Sequence, residues 1–106
     1  MNETTGYKKI IRYKVKADKA QENIDYIHAI FKTLERSKPD RLRFAVFQLE
    51  DGVSFLHIAF VETEDGSNPL HHLDEFKAFA NDISARCEEP PTFSMVKAIG
   101  AYRLFG

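Results

Sequence analysis

Residues Arg43 to Val61 read RFAVFQLE-DG-VSFLHIAFV, and the way this stretch pairs with itself decides the fold. Two runs rich in Phe, Val, Leu and Ile flank Asp51-Gly52, a dipeptide suited to the two positive-φ positions of a type I′ hairpin turn. A two-residue turn fixes the register: Glu50 stands opposite Val53, Gln48 opposite Phe55, Val46 opposite His57 and Phe44 opposite Ala59. These residues form one face, apolar but interrupted by Gln48 and His57. The other face carries Ala45, Phe47, Leu49, Leu56, Ile58 and Phe60, and is almost wholly apolar. A sheet face that meets water alternates toward charge instead. The hairpin therefore has two faces to cover.

Upstream, Tyr7 to Ala17 alternates with a period of two, Ile11, Tyr13 and Val15 against Lys8, Arg12, Lys14 and Lys16, and reads as a strand. Asp18, with Gln21 three residues on, is expected to form a capping box. Ala20, Ile24, Ile27, Phe31 and Leu34 then follow at helical spacing, and Pro39 ends the helix near Ser37. Downstream, Asn68 and Pro69 suit the start of a second helix. Leu73, Phe76, Ala80, Ile83 and Cys87 are its expected buried stripe, with Asp74, Lys77, Asn81 and Arg86 in water. Glu88-Glu89-Pro90-Pro91 is expected to end it, and TFSMVKAIGAYRLF, residues Thr92 to Phe105, to form the last strand.

The totals describe one domain over residues 1–106, with 1–6 a loose polar lead-in. Fifteen Lys and Arg against sixteen Asp and Glu give a net charge of −1, which argues against a nucleic-acid binder. The lone Cys87 forms no internal disulfide and reads as a small buried hydrophobe. No apolar run approaches the roughly 20 residues of a membrane span, and no signal-peptide core is present, so a cytoplasmic location is expected.

The order strand, helix, strand, strand, helix, strand is that of an α+β, ferredoxin-like βαββαβ fold with a four-stranded antiparallel sheet. The helices are expected on the Phe47–Leu56–Ile58–Phe60 face. The open face would then carry Phe44, Val46, Gln48, Phe55, His57 and Ala59, joined by Ile10, Arg12 and Lys14 from the first strand. Covering about 600 Å² of such a face at about 25 cal/mol/Å² is worth on the order of 15 kcal/mol before association costs. A second copy packed sheet to sheet is the expected cover, enclosing a pocket.

In size, element order and doubly apolar sheet, Tyr7 to Phe105 resembles the dimeric α+β barrel superfamily, more narrowly the antibiotic-biosynthesis-monooxygenase-like domains. The stretch His71-His72-Leu73-Asp74-Glu75-Phe76-Lys77-Ala78-Phe79 is similar to that family's helix, with a His near its start and a Phe-x-x-Phe pair a turn later. The haem-degrading branch uses an Asn, a Trp and a His together. This chain has no Trp, and Arg12 and Tyr13 occupy the region where the Asn would be sought. The resemblance instead implies a homodimeric, cofactor-independent oxygenase-like enzyme, without metal, acting on a small apolar or aromatic molecule. Such an enzyme reacts a substrate carbanion with oxygen and needs polar groups to steady the anion.

Three residues of suitable type are Arg12, His57 and His72. His57 sits mid-strand among Phe44, Val46, Gln48 and Phe55, which are the expected substrate-contacting residues, and Lys14 joins Arg12 as a possible anion contact. His71 and His72 point about 100° apart on a helix, which does not suit a shared metal. Tyr13 is expected to face the helices as a core residue. Two further readings compete. A non-catalytic dimeric module that binds a ligand or serves a stress response needs no proton-transfer group. An RNA-recognition motif has the same element order, but Val53 and Ile58 stand where its stacking aromatics would be.

Overall fold

The computed structural model describes residues 6–103. Strand β1 (Tyr7–Val15) is followed by helix α1 (Ala20–Ser37), strands β2 (Leu42–Gln48) and β3 (Ser54–Val61), helices α2 (Asp74–Asn81) and α3 (Ile83–Arg86), and strand β4 (Cys87–Met95). All pairings are antiparallel, in the order β2-β3-β1-β4. This is the ferredoxin-like arrangement. Residues 1–5 of the expected lead-in lie outside the described residues.

The hairpin register is as the pattern dictates, with Phe44 opposite Ala59, Val46 opposite His57 and Gln48 opposite Phe55. Its turn differs. Gly52 takes φ 78°, but Asp51 does not enter the positive-φ region. The Leu49 carbonyl accepts from the Gly52 N–H at 3.0 Å, and Leu49 N–H donates to the Ser54 carbonyl at 2.9 Å. The Asp51 carboxylate accepts from Val53 N, Ser54 N and Ser54 Oγ. The loop therefore spans residues 50–53, with Gly52 its one positive-φ residue and the Asp51 carboxylate satisfying the donors that follow it. Those bonds, Ser54 Oγ foremost, hold the Asp51 carboxyl down at about 2.

The faces are the reverse of the expectation. Tyr13, Val15, Phe55, His57, Ala59 and Val61 are buried, and the core cluster joins Tyr13, Val15 and Phe55 to Ile27, Ile30, Leu70 and Phe79. The helices therefore cover the His57 face, and Phe47, Leu56, Ile58 and Phe60 lie on the open one. The cause is β1. It is central, and its pairing sets Ile11 beside His57 and Tyr13 beside Phe55, while Arg12 pairs with Leu56 and Ile10 with Ile58. Burying the Leu56 face would have buried Lys8, Arg12 and Lys14 as well, at the cost of desolvating three cations.

Helix α1 forms as its stripe predicts, but Asp18 lies in a 3-10 turn and no side chain caps the helix. It ends with Lys38 in the left-handed region, whose N–H returns to the Leu34 carbonyl at 2.8 Å. Asn68 does cap the next segment, accepting from Leu70 N at 2.9 Å. That segment is a single 3-10 turn, Pro69–His72, and the expected long helix is broken into it, α2 and α3. Cys87 opens β4 rather than closing a helix. Pro90 and Pro91 sit within β4, an edge strand, where the pairing slips between Arg12–Thr92 and Lys14–Glu89. An edge bulge is where proline is tolerated in a sheet. Beyond Met95 the expected strand does not continue. Val96 N–H makes a last bond to the Lys8 carbonyl, and β1 has little more edge to offer. Ile99 and Tyr102 are 92% and 83% exposed. Phe105 lies outside the described residues.

Candidate active site beneath the helices

Between the sheet and the second helical segment lies a cavity of about 100 Å³, walled by Ile11, Phe44, Phe76, Phe79 and Ile83 with His57 on its floor. For scale, an apolar cavity of roughly 150 Å³ takes up benzene. His57 is 2% exposed. Its ring is boxed by Tyr13, Phe79 and Phe44, with centroids at 5.2, 5.3 and 5.8 Å. Burial pushes its imidazole down to about 4, so it is neutral at pH 7.

Behind His57 runs a buried line of polar side chains. Its Nε2 lies 2.7 Å from the Tyr13 hydroxyl. That oxygen accepts from Asn23 Nδ2 at 2.9 Å, and Asn23 Oδ1 accepts from Arg86 Nε at 3.0 Å. Arg86 is 1% exposed and forms no ion pair among the described residues. It donates to the Phe79 carbonyl at 2.9 Å and lies over the Tyr26 and Phe79 rings, at 4.4 and 5.0 Å. Its NH1 nitrogen is buried without a hydrogen-bond partner among the described residues. Burial raises the Tyr13 phenol well above its ordinary range, against the opposing pull of the Asn23 bond and the Arg86 charge.

The expected site residues are dispersed. His57 and Phe44 line the cavity. Val46, Gln48 and Phe55 line a separate groove against Ile24, Ile27 and His28 of α1. Arg12 and Lys14 line neither, and stand instead in a polar crevice with Asp51 and Glu89. Of the adjacent histidines, His71 lines the cavity and packs 5.7 Å from Phe76; His72 is exposed and is not in its wall.

Sequence reasoning misses the roles of Tyr13, Asn23 and Arg86. The strand pattern marks Tyr13 only as core, and the helix stripe puts Arg86 in water. A signal is nonetheless present. Asn23, Ile27 and Ile30 share one spacing, and Phe79, Ile83 and Arg86 repeat it. In each triplet a polar residue holds an apolar position.

Among the described residues no group of three or more His, Cys, Asp or Glu is disposed to hold a metal ion. No helix among them is long and apolar enough to cross a membrane.

A four-stranded antiparallel sheet with helices on one face defines an α+β, ferredoxin-like fold, and solved structures place it more narrowly. A Nitrosomonas europaea protein described as a candidate antibiotic biosynthesis monooxygenase superposes with a TM-score of 0.72 at 16% identity, covering 93% of this chain and 95% of its own. Rv0793 from Mycobacterium tuberculosis gives 0.71 at 9% identity, covering 89% and 95%. SnoaB, a cofactor-independent oxygenase from Streptomyces nogalater, gives 0.65 at 14% identity, covering 92% and 96%. No family model matches the chain, and no curated protein matches it by sequence. The chain has the fold of the antibiotic-biosynthesis-monooxygenase-like proteins.

Proposed function

We propose that this chain is a small-molecule enzyme of the cofactor-independent oxygenase kind, working in the cavity beneath its helices with His57 as the group that meets the substrate. The observation that carries this reading is a neutral, fully buried histidine with one ring nitrogen engaged by Tyr13 and the ring itself lining an apolar chamber. Of the three candidate residues Arg12, His57 and His72, only His57 is carried into the proposal, because it alone lines that chamber. The fold shared with SnoaB supports the choice of chemistry.

A substrate with an acidic methylene beside a carbonyl gives its proton to solvent and binds as the enolate, which supplies electrons to dioxygen; the proton is recovered in the water that leaves. The methylene becomes a carbonyl, one oxygen atom enters the product and the other leaves as water. No further reductant is needed. The enzyme's part is to exclude water and to stabilise the enolate oxygen. A cytoplasmic homodimer, closed over the open sheet face, is part of the same reading. The dimer is supported by the apolar Ala45, Leu56, Ile58 and Phe60 and by Phe47, which is 47% exposed.

Oxygen uptake tests it. With 2-indanone and no added metal or flavin, consumption should exceed the solution rate and fall roughly a hundredfold in His57→Phe, the scale of losing one oxyanion donor. Uptake that is absent, or unchanged in that variant, would refute the enzymatic reading. Ligand binding without uptake would leave a non-catalytic binding module in its place.

A further inference from the structure

We infer that Arg86, Asn23 and Tyr13 hold His57 in the tautomer protonated on Nδ1, so that the cavity presents its ligand with a neutral hydrogen-bond donor and selects small apolar rings bearing a carbonyl or enolate oxygen. The inference rests on the cavity being the ligand site, as proposed above, and names the class of molecule it takes.

The direction of the hydrogen-bond line follows from its buried end. A guanidinium has only donors and keeps its proton in proteins. Arg86 Nε therefore requires an acceptor, and Asn23 Oδ1 lies 3.0 Å away. With its oxygen taken, the Asn23 amide turns Nδ2 toward Tyr13 at 2.9 Å. The opposite rotamer would set N–H against N–H. The Tyr13 oxygen thus accepts from Asn23, and its own proton has one place to go, the Nε2 of His57 at 2.7 Å. Were Nε2 protonated instead, Tyr13 would receive two donors and its own O–H would be stranded in the core. An unmade buried hydrogen bond of that kind biases the equilibrium by on the order of tenfold or more.

The proton of the neutral imidazole is then on Nδ1. Among the described residues Nδ1 has no hydrogen-bond partner, and the ring lines a chamber otherwise walled largely by hydrocarbon. In such a chamber the donor is satisfied by water or by an acceptor on the ligand, and a ligand that displaces the water without supplying an acceptor leaves it unpaired. Asn23 and Arg86 are outside the cavity wall and act through Tyr13 and His57. They are positioning residues.

Two measurements on the whole protein test this. Long-range proton–nitrogen correlation spectra at pH 7 should show His57 with Nδ1 protonated and Nε2 bare. In Tyr13→Phe, which deletes the donor to Nε2, the Nε2-protonated form should appear. A proton on Nε2 in the unaltered protein overturns the inference, whatever oxygen uptake shows, and this arm needs no variant to fold. The second arm compares acetophenone with α-methylstyrene, which replaces the carbonyl oxygen by a methylene of similar shape. Acetophenone should bind about tenfold more tightly, the worth of one good hydrogen bond. Equal or tighter binding of α-methylstyrene overturns the inference while leaving the cavity a ligand site. Binding of neither compound overturns both.

Discussion

Asn23 is the hinge of the site at the scale of single residues, because among the described residues it is the group that turns the fixed polarity of Arg86 toward Tyr13. Asn23→Leu strips the acceptor from Arg86 and the donor from Tyr13, and should cost about 3 kcal/mol in urea unfolding. Adding Arg86→Met removes the stranded guanidinium and should recover part of that loss, with a coupling of at least about 1 kcal/mol in the double-mutant cycle. Strict additivity would mean the two side chains do not form one network. His57 gives a pH signature. Its folded value near 4 lies below the ordinary 6.5, so the unfolded chain binds more protons between those values. Stability is therefore intact above pH 6.5 and falls by roughly 3 kcal/mol as pH drops toward 4. His57→Phe should flatten that decline in denaturation midpoints taken from pH 7 to 4.5; an unchanged slope would assign the loss to other groups. None of this network is legible from residue type alone. A lone Asn or Arg on a helix is ordinarily solvated, and only the recurrence of the core spacing in 23, 27, 30 and 79, 83, 86 betrays the burial.

Among the elements, the β2–β3 hairpin is the most legible, since its register follows from counting outward from Asp51-Gly52. The turn still needs Gly52. Its φ is 78°, and a methyl group at that position would meet no atom within 4 Å. Gly52→Ala therefore meets no clash, and its cost is the backbone's alone, about 1–2 kcal/mol by thermal unfolding. A neutral result would mean the turn relaxes to another geometry. The choice of buried face is not legible from the hairpin, because Gln48 and His57 make the truly buried side look like the wet one. The deciding information lies in β1, where Arg12 and Lys14 share a side and Tyr13 and Val15 share the other. The boundary between α3 and β4 is hidden for a different reason. Two prolines ordinarily end regular structure, and only an edge position with a bulge lets them lie within a strand.

At the scale of the whole molecule, a two-sided apolar sheet with helices on one side leaves a surface of the kind that monomers rarely keep exposed. Sedimentation at micromolar concentration should give twice the 12.2 kDa chain mass. Ile58→Lys, on the open face opposite Ala45 and Ile10, should give a folded single chain; an unaltered dimer would place the interface elsewhere. The general plan of fold and doubly apolar sheet can be read from the sequence, while the location of the chamber cannot, since it follows from which face the helices take. That location is what the functional account stands on, and titrating labelled protein with acetophenone probes it directly. Saturable shifts at His57, Phe44, His71 and Phe79 are predicted. Shifts confined to Ile58, Phe60 and Arg12, or none at all, would contradict it.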